Sequence, residues 1–284
     1  MALLICAANN AMLPFLAINN IVASVLSPWA GVKMTGNARE PTLHTKHVLW
    51  ALKSIVQYWD RLRSEGREEY REVTFVVYEE GVRLGIGNVV ATQPPAGLTA
   101  RSDAVAAVHA RGPAEKRDGE KSDGGKLTII SSPVPRGGGI GEGDVGYEPI
   151  DLRIDLSFTP PRVATDHAFY ATLLDAIIHF GEADKDASIG QGISRVHETE
   201  GFVFAVRPTS EGAGEEGVFR VGQAVDACLQ IADAMFSKVP PAQRLFAFEA
   251  SVRLLSTGRI VGKVEMGLPG VVEVDGGDVS KTRR

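Results

Sequence analysis

Residues 225–264, VDACLQIADAMFSKVPPAQRLFAFEASVRLLSTGRIVGKV, contain an apolar-faced helix pattern, a polar link, a β-rich run, a glycine turn and a second β-rich run. Residues 48–87, VLWALKSIVQYWDRLRSEGREEYREVTFVVYEEGVRLGIG, align with them without a gap and follow the same order. The matched order predicts a diverged internal repeat of helix–β-hairpin units. The identical pairs are Val48/Val225, Leu52/Leu229, Arg67/Arg244, Glu72/Glu249, Gly81/Gly258 and Gly85/Gly262.

Apolar residues at helical spacing predict three helices, over residues 44–60, 166–180 and from about 221 onward. Thr42 is the predicted cap of the first helix, and Thr165 or Asp166 that of the second. The predicted buried faces are Val48, Leu52, Ile55, Val56 and Trp59; Tyr170, Leu173, Leu174, Ile177 and Ile178; and Val221, Val225, Cys228, Ala232 and Met235.

Each predicted helix is followed by two β-rich runs, which indicates hairpins. These runs are 73–78 with 84–90, 193–197 with 202–206, and 244–255 with 259–266. Residues 150–158 alternate apolar and polar, which predicts a half-buried strand that ends at Pro160-Pro161. Because hairpins pair antiparallel, the sequence predicts an α+β fold with helices packed on one face of an antiparallel sheet, and disfavours a doubly wound fold.

The chain divides by composition into five parts. Residues 1–32 are an uncharged apolar leader, 33–95 the first helix–hairpin unit, and 149–270 a second α+β part with two such units. Residues 96–148 are rich in glycine and mixed charge, which predicts a flexible linker, with a short strand at Leu127–Ile130. Residues 271–284 form the tail.

Three interpretations of the leader stay open. Its length and lack of charge suit a secretion signal or membrane anchor, with Ala23 as a cleavage end. Its asparagines and prolines, however, break the apolar run into pieces that suit a strand and helix of the fold. A disordered leader is the third interpretation.

Composition excludes several classes of function. The net charge of −5 gives no basic surplus, which argues against nucleic acid as a partner. Cys6 and Cys228 are the only cysteines, so neither a disulfide scaffold nor a cysteine zinc site can form.

Two segments have part of the pattern of a metal site. His44 and His47 share a helix face at a spacing of three residues, but no third ligand is near in sequence. Asp184–Gly190 resembles the opening of a calcium loop, but the glycine stands one position late and Arg195 occupies the place of the bidentate glutamate. We interpret both as solvated polar segments.

Two further segments were weighed as reactive or phosphate-binding sites. His197-Glu198-Thr199-Glu200 has the His-x-Glu spacing of zinc deaminases without their cysteine partner. Gly137–Gly141 lacks both the following helix and the Gly-Lys-Ser/Thr ending of a phosphate loop. The sequence therefore predicts no catalytic, cofactor-binding or metal-ligating residue, and no cofactor.

The leading hypothesis is a non-catalytic binding or interaction protein whose partner is another protein or a small molecule. The membrane is a partner only if the leader is an anchor. One alternative is a small-molecule pathway enzyme whose pocket gathers Asp166, His167, His197 and Glu249. Another is a secreted or surface-anchored interaction protein.

Strand residues give two further expectations. Aromatic residues alternate along the predicted strands and suggest core packing or an exposed sheet face for a partner; they are Phe75, Tyr78, Phe202, Phe204, Phe246 and Phe248. Gly85 and Gly262 occupy the same place in both matched segments, which predicts a shared bulge or a close backbone approach.

Overall fold

A computed structural model of the chain describes residues 4, 7–8, 11–12, 17–18, 20–27, 30–36, 43–67, 73–91, 125–130, 150–197, 199–209 and 218–272. Several predicted features lie outside these residues: the cap at Thr42, Glu198, the glycine run 137–141, the tail beyond residue 272 and most of the linker 96–148.

The larger of two main sheets has six strands in the order β7-β8-β11-β12-β10-β9, and every neighbouring pair is antiparallel. Within the predicted linker, the short strand at Leu127–Ile130 is confirmed as the edge strand of this sheet. The strands are β7 Lys126–Ile130, β8 Leu152–Arg162, β9 Ile193–His197, β10 Phe202–Pro208, β11 Phe246–Leu254 and β12 Ile260–Gly267.

The smaller main sheet has four antiparallel strands in the order β2-β3-β6-β5. A separate short pair joins β1 Ala17–Ile18 to β4 Leu43–His44. The four strands are β2 Asn20–Ser27, β3 Ala30–Gly36, β5 Val73–Glu79 and β6 Val82–Ala91. Among the described strands, β5 therefore forms one edge of the smaller sheet.

In the described part of the chain, three long helices pack against these sheets: α1 Thr45–Ser64, α2 Asp166–Phe180 and α3 Val221–Ser237. Helix α1 packs on β5 and α2, helix α2 also packs on α3 and β9, and α3 packs on β8 and β12. Their apolar faces join one continuous core. The mixed α+β class with antiparallel pairing is confirmed, and the described strands form two main sheets.

The cap of α2 is Thr165, whose hydroxyl accepts a hydrogen bond from the Ala168 backbone N–H. The expectation that Pro160-Pro161 end the preceding strand is wrong, since β8 continues to Arg162. The pairing of β8 with β11 jumps from Thr159 opposite Ala247 to Arg162 opposite Phe246. Both prolines thus lie in the register shift, where no ladder N–H is needed.

Part of the uncharged leader lies in the core. Leu4, Ala7, Ala8, Ala11 and Met12 are buried, at a spacing that places them on one helical face. Strands β2 and β3 then add to the smaller sheet through β6. Among the described residues, no helix is both long and apolar enough to cross a bilayer.

The glycines at equivalent places in the two hairpins both follow a register shift. Gly85 pairs with Val77, and Gly262 pairs with Val252. Within the described strands, the residue before each glycine is an extra residue: it has no pairing partner in the first strand of its hairpin. A Cβ on Gly85 would lie 2.6 Å from the Thr35 carbonyl oxygen, and one on Gly262 would lie 2.4 Å from the Phe219 ring. Both positions therefore combine an irregular ladder with a close approach.

Candidate functional site

A groove of about 550 Å³ runs between α1 and the edge strand β5. Side chains from successive turns of α1 form one wall, and the whole length of β5 forms the other. The lining residues are His47, Trp50, Ala51, Ser54, Ile55, Tyr58 and Val73 to Tyr78. Its volume falls within the usual range of small-molecule sites, about 300–1,000 Å³.

Exposed aromatic side chains border this groove. Trp50 is 46% exposed, Tyr58 37% and Tyr78 60%, and Val76 between them is 40% exposed. Trp50, Ser54 and Tyr58 are spaced four residues apart and so form one stripe along α1. Large apolar side chains grouped in this way mark an interaction surface more than scattered ones do.

The opposite side of α1 is held against α2. Lys53 Nζ lies 3.4 Å from Asp175 Oδ1, and Asp60 contacts the ring of His167. Helix α2 therefore covers one side of α1 and leaves the aromatic stripe on the other side open to the groove.

His47 closes one end of the groove. Its Nδ1 accepts a hydrogen bond from the His44 backbone N–H at 2.9 Å, which places the proton of the neutral ring on Nε2. Nε2 lies 3.3 Å from Glu79 Oε1, but the contact does not have the geometry of a hydrogen bond. Burial lowers the pKa of His47 below its ordinary value and outweighs the opposing effect of Glu79.

Glu79, at the end of β5, also accepts a hydrogen bond from Lys46 Nζ at 3.1 Å. The hydrogen bond from Lys46, and after it the neighbouring His47 ring, lower the pKa of the Glu79 carboxyl. The Lys46 ammonium in turn lies 5.3 Å from the centre of the Trp50 ring. The groove thus has apolar walls and one charged end.

Ser54 is not placed to act as a nucleophile activated by His47. Ser54, the hydroxyl in the helix wall, donates its hydrogen bond to the Trp50 carbonyl of its own helix. It stands two turns after His47, about 10 Å along the axis, whereas a general base must lie within about 3.2 Å of its proton. Among the described residues, no group of three potential ligands could hold a metal ion.

The residues of the alternative enzyme hypothesis lie in two separate regions of the described structure. Around the start of α2, Asp166 pairs with Arg162 and His167 contacts Asp60. Glu249 lies on an outward position of β11, where it pairs with Lys263 at 2.8 Å. The structure thus brings Asp166 and His167 to one helix end and leaves Glu249 on an exposed sheet face.

The turn between β9 and β10 binds the same helix end. Glu200 accepts hydrogen bonds from the Thr165 backbone N–H and hydroxyl. The ring of His197 stacks on Phe202, with 5.2 Å between centroids, and its Nδ1 accepts from the Glu200 N–H at 3.4 Å. These contacts join the turn to the helix cap, which is a structural role.

The remaining sequence candidates are polar or buried. Asp184 accepts the backbone N–H of Asp186 in an exposed turn, and this loop holds no ligand cluster among the described residues. Of the strand aromatics, Phe202, Phe204 and Phe248 are buried and Phe75 and Phe246 pack partly against the core, whereas Tyr78 is open.

Sequence reasoning missed the groove because its aromatic residues interrupt the patterns that identify a core. Trp50 and Tyr58 lie off the buried face of α1, and Tyr78 stands on the opposite strand face from Phe75. An aromatic residue out of phase with its element was the available signal.

Comparisons of the chain with known protein families, with curated proteins and with solved structures gave no match.

Proposed function

We propose that this protein is a non-catalytic binding protein and that its α1–β5 groove receives an extended polypeptide strand. The observation that carries this proposal is the edge position of β5 beside the exposed aromatic stripe of α1. Alternate residues of an edge strand direct backbone N–H and C=O groups away from the sheet, and an added strand satisfies them. Trp50 and Tyr58 would cover the added strand.

Strand β5 lacks the usual protection of an edge. Its sequence, VTFVVYE, has no lysine, arginine or proline, and its only charge is at the terminal Glu79. The edge strands of the larger sheet are shorter and carry positive charge, with Lys126 in β7 and Arg195 in β9. The extra residue in the β5–β6 ladder is Leu84 on β6, so the free edge of β5 stays regular.

A labelled peptide tests this function directly. The probe has the β5 sequence VTFVVYE with a charged tail for solubility, and fluorescence anisotropy follows its titration with the full-length protein. We expect saturable binding that Trp50→Ala weakens about tenfold or more. Leu255→Ala, at an exposed apolar residue of the β11–β12 turn, is the matched control and should leave binding unchanged.

A second peptide carries proline at two adjacent central positions. One of them must face β5, where it has no N–H to donate, so this peptide should bind far more weakly. Equal binding of both peptides, or no binding of either, would contradict an extended strand in the groove.

A small-molecule ligand is the second candidate partner, because the volume of the groove suits one. An aromatic compound that competes with the peptide and is weakened by Trp50→Ala would favour it. The net charge of −5 argues against nucleic acid. The alternative enzyme function requires turnover by the purified protein; turnover abolished by one substitution would replace the binding proposal.

The proposal includes common ancestry of the first and last helix–hairpin units. Helix α1 precedes the β5–β6 hairpin and α3 precedes β11–β12. The turn glycines at matched positions, Gly81 and Gly258, both have positive φ, at 81° and 70°. The unit formed by α2 with β9 and β10 repeats the element order without matching residues.

For the leader we propose a role within the fold, since the buried Leu4, Ala8 and Met12 and the strand β2 support that interpretation. The alternative of a secreted or surface-anchored protein requires a leader that can be removed or inserted. Sequencing the N-terminus of native material decides between them: Met1 retained in a soluble fraction favours a folded leader, and a start after Ala23 favours a signal.

A further inference from the structure

We propose that the strand received by the groove is β5 of a second copy of this chain, so that two four-stranded sheets join into one across a two-fold axis. This inference rests on the proposed function and adds the identity of the partner. It follows from the coincidence of two centres of symmetry, one in the strand and one in the helix.

The centre of the strand is Val76. A strand that pairs with its own copy across a two-fold axis is antiparallel, and the central residue meets itself. With Val76 on the axis, Thr74 of one copy faces Tyr78 of the other, which is a β-branched–aromatic pair of the kind that stabilises sheets. All three residues are on the exposed face of β5.

The centre of the helical stripe is Ser54, with Trp50 four residues before it and Tyr58 four residues after it. The 3.3 Å contact between His47 and Glu79 fixes where these two centres lie relative to each other. Ser54 is seven residues after His47, or about 10 Å along a helix. Val76 is three residues before Glu79, or about 10 Å along a strand. Because α1 and β5 run side by side along the groove that both line, the two centres are level.

One axis consequently serves both elements. An axis through Val76 also passes beside Ser54, so Trp50 of each copy lies next to Tyr58 of the other. Ser54 is small, which lets the two helices approach where they cross the axis, and the aromatic residues on either side cover the joined strands. The exposed side chains of Trp50 and Tyr58 from both copies, four in all, would be buried in the interface.

The charges at the ends of the groove are complementary under the same operation. Arg61 stands seven residues after Ser54 and His47 stands seven before it, so the axis places Arg61 of one copy at the Glu79 end of the other. Arg61 already lies over the Tyr58 ring, with its guanidinium carbon 5.6 Å from the ring centre. A cation thus meets an end at which the carboxylates of Glu79 and Glu80 outnumber the ammonium of Lys46.

Sedimentation equilibrium of the full-length protein between about 1 and 100 µM tests this dimer. We expect wild type to dimerise across this range and Val76→Lys to be monomeric, because the axis sets one ammonium against its own copy. Val76→Glu should be monomeric for the same reason. An equimolar mixture of the two variants should restore a dimer that contains one chain of each.

Ser54→Cys adds a geometric test. A short bismaleimide should link two copies through a cysteine near the axis, while Ser256→Cys, in the exposed β11–β12 turn, should stay unlinked. Wild type controls for the native cysteines, and Leu255→Lys controls for an added charge on an exposed apolar residue. Circular dichroism melts establish that each variant is folded.

Each remaining outcome overturns the dimer. Three results would show that no two-fold axis passes through Val76. They are a monomeric wild type, a dimer that Val76→Lys leaves intact, and a variant mixture that stays monomeric. A monomer that still binds the β5 peptide refutes only the second copy as partner, whereas a monomer that does not bind it refutes the proposed function as well.

Discussion

His47 Nε2 lies 3.3 Å from Glu79 Oε1, and this contact ties the first turn of α1 to the end of β5. The buried imidazole and the partly exposed carboxylate form the charged end of the groove. Because the contact joins helix to edge strand, it fixes the level at which Trp50 and Tyr58 stand along β5.

The stability of the protein should fall as the pH is lowered through the range of histidine. Burial lowers the pKa of His47 below 6.5, and partial desolvation, followed by the nearby Arg195, lowers that of the more exposed His179, whereas the unfolded chain titrates near 6.5. Between the two pKa values the unfolded state binds more protons, so the free energy of unfolding decreases as the pH falls from 7.5 towards 5.

Urea unfolding at a series of pH values measures this effect. The variants His47→Gln and His179→Gln should each have a flatter dependence than wild type over the same window, whatever their absolute stability. If stability instead rises as the pH falls from 7.5 to 5, the histidines are more readily protonated in the folded state, which contradicts the effect expected from the burial of His47.

Gly85→Val and Gly262→Val should each destabilise the protein by about 1–3 kcal/mol, the usual effect of overpacking. The new side chain on Gly85 meets the Thr35 backbone, and that on Gly262 meets the Phe219 ring. Gly190→Val is the control: Gly190 is exposed, a Cβ there meets nothing within 4 Å, and its change should stay within about 0.5 kcal/mol.

Denaturant melts compare the three glycine variants. If the Gly85 and Gly262 variants have the same free energy of unfolding as the Gly190 variant, neither site requires glycine. The close approach at these two positions would then not be a structural requirement of the hairpins. The result would also weaken the case for common ancestry of the two units.

Truncation after Ala23 should prevent folding. It removes buried Leu4, Ala8 and Met12 and cuts β2 within its pairing to β3. Met12→Ala alone should cost about 2–5 kcal/mol, because its side chain packs near Gly222 at the start of α3. Thermal melts of full-length and truncated protein measure this, and equal melting temperatures would show that the leader is dispensable.

The contacts between Thr165 and Glu200 should couple the α2 cap to the β9–β10 turn. Thr165→Ala should cost about 1 kcal/mol through loss of the cap, and Glu200→Ala about 1–3 kcal/mol. In a double-mutant cycle the two effects should interact by about 0.5–3 kcal/mol. Strict additivity would show that the carboxylate does not hold the cap.

Local patterns predicted most of the elements but not their arrangement. The apolar spacing of 166–180 and the cap at Thr165 predicted α2 with its observed bounds. Both signals are local, because they depend only on residues within or next to the helix. Pro160-Pro161 misled because whether a proline ends a strand depends on the register of β11, which is distant in sequence.

The groove was beyond sequence reasoning for a similar reason. Tyr78 and Trp50 are separated along the chain, and only the packing of α1 on β5 brings them to one surface. In the same way, the buried Ala11 and Met12 lie next to the end of α2 and the start of α3, which occur far later in the chain.

Amide hydrogen exchange across β5 tests the central claim most directly. The full-length protein is compared with and without saturating β5 peptide, at a concentration low enough to leave most chains unpaired. The account predicts that amides in 73–79 gain protection, while those of β9, the edge of the larger sheet, do not change. Unchanged exchange in 73–79, or equal protection at both edges, would contradict a docking site at β5.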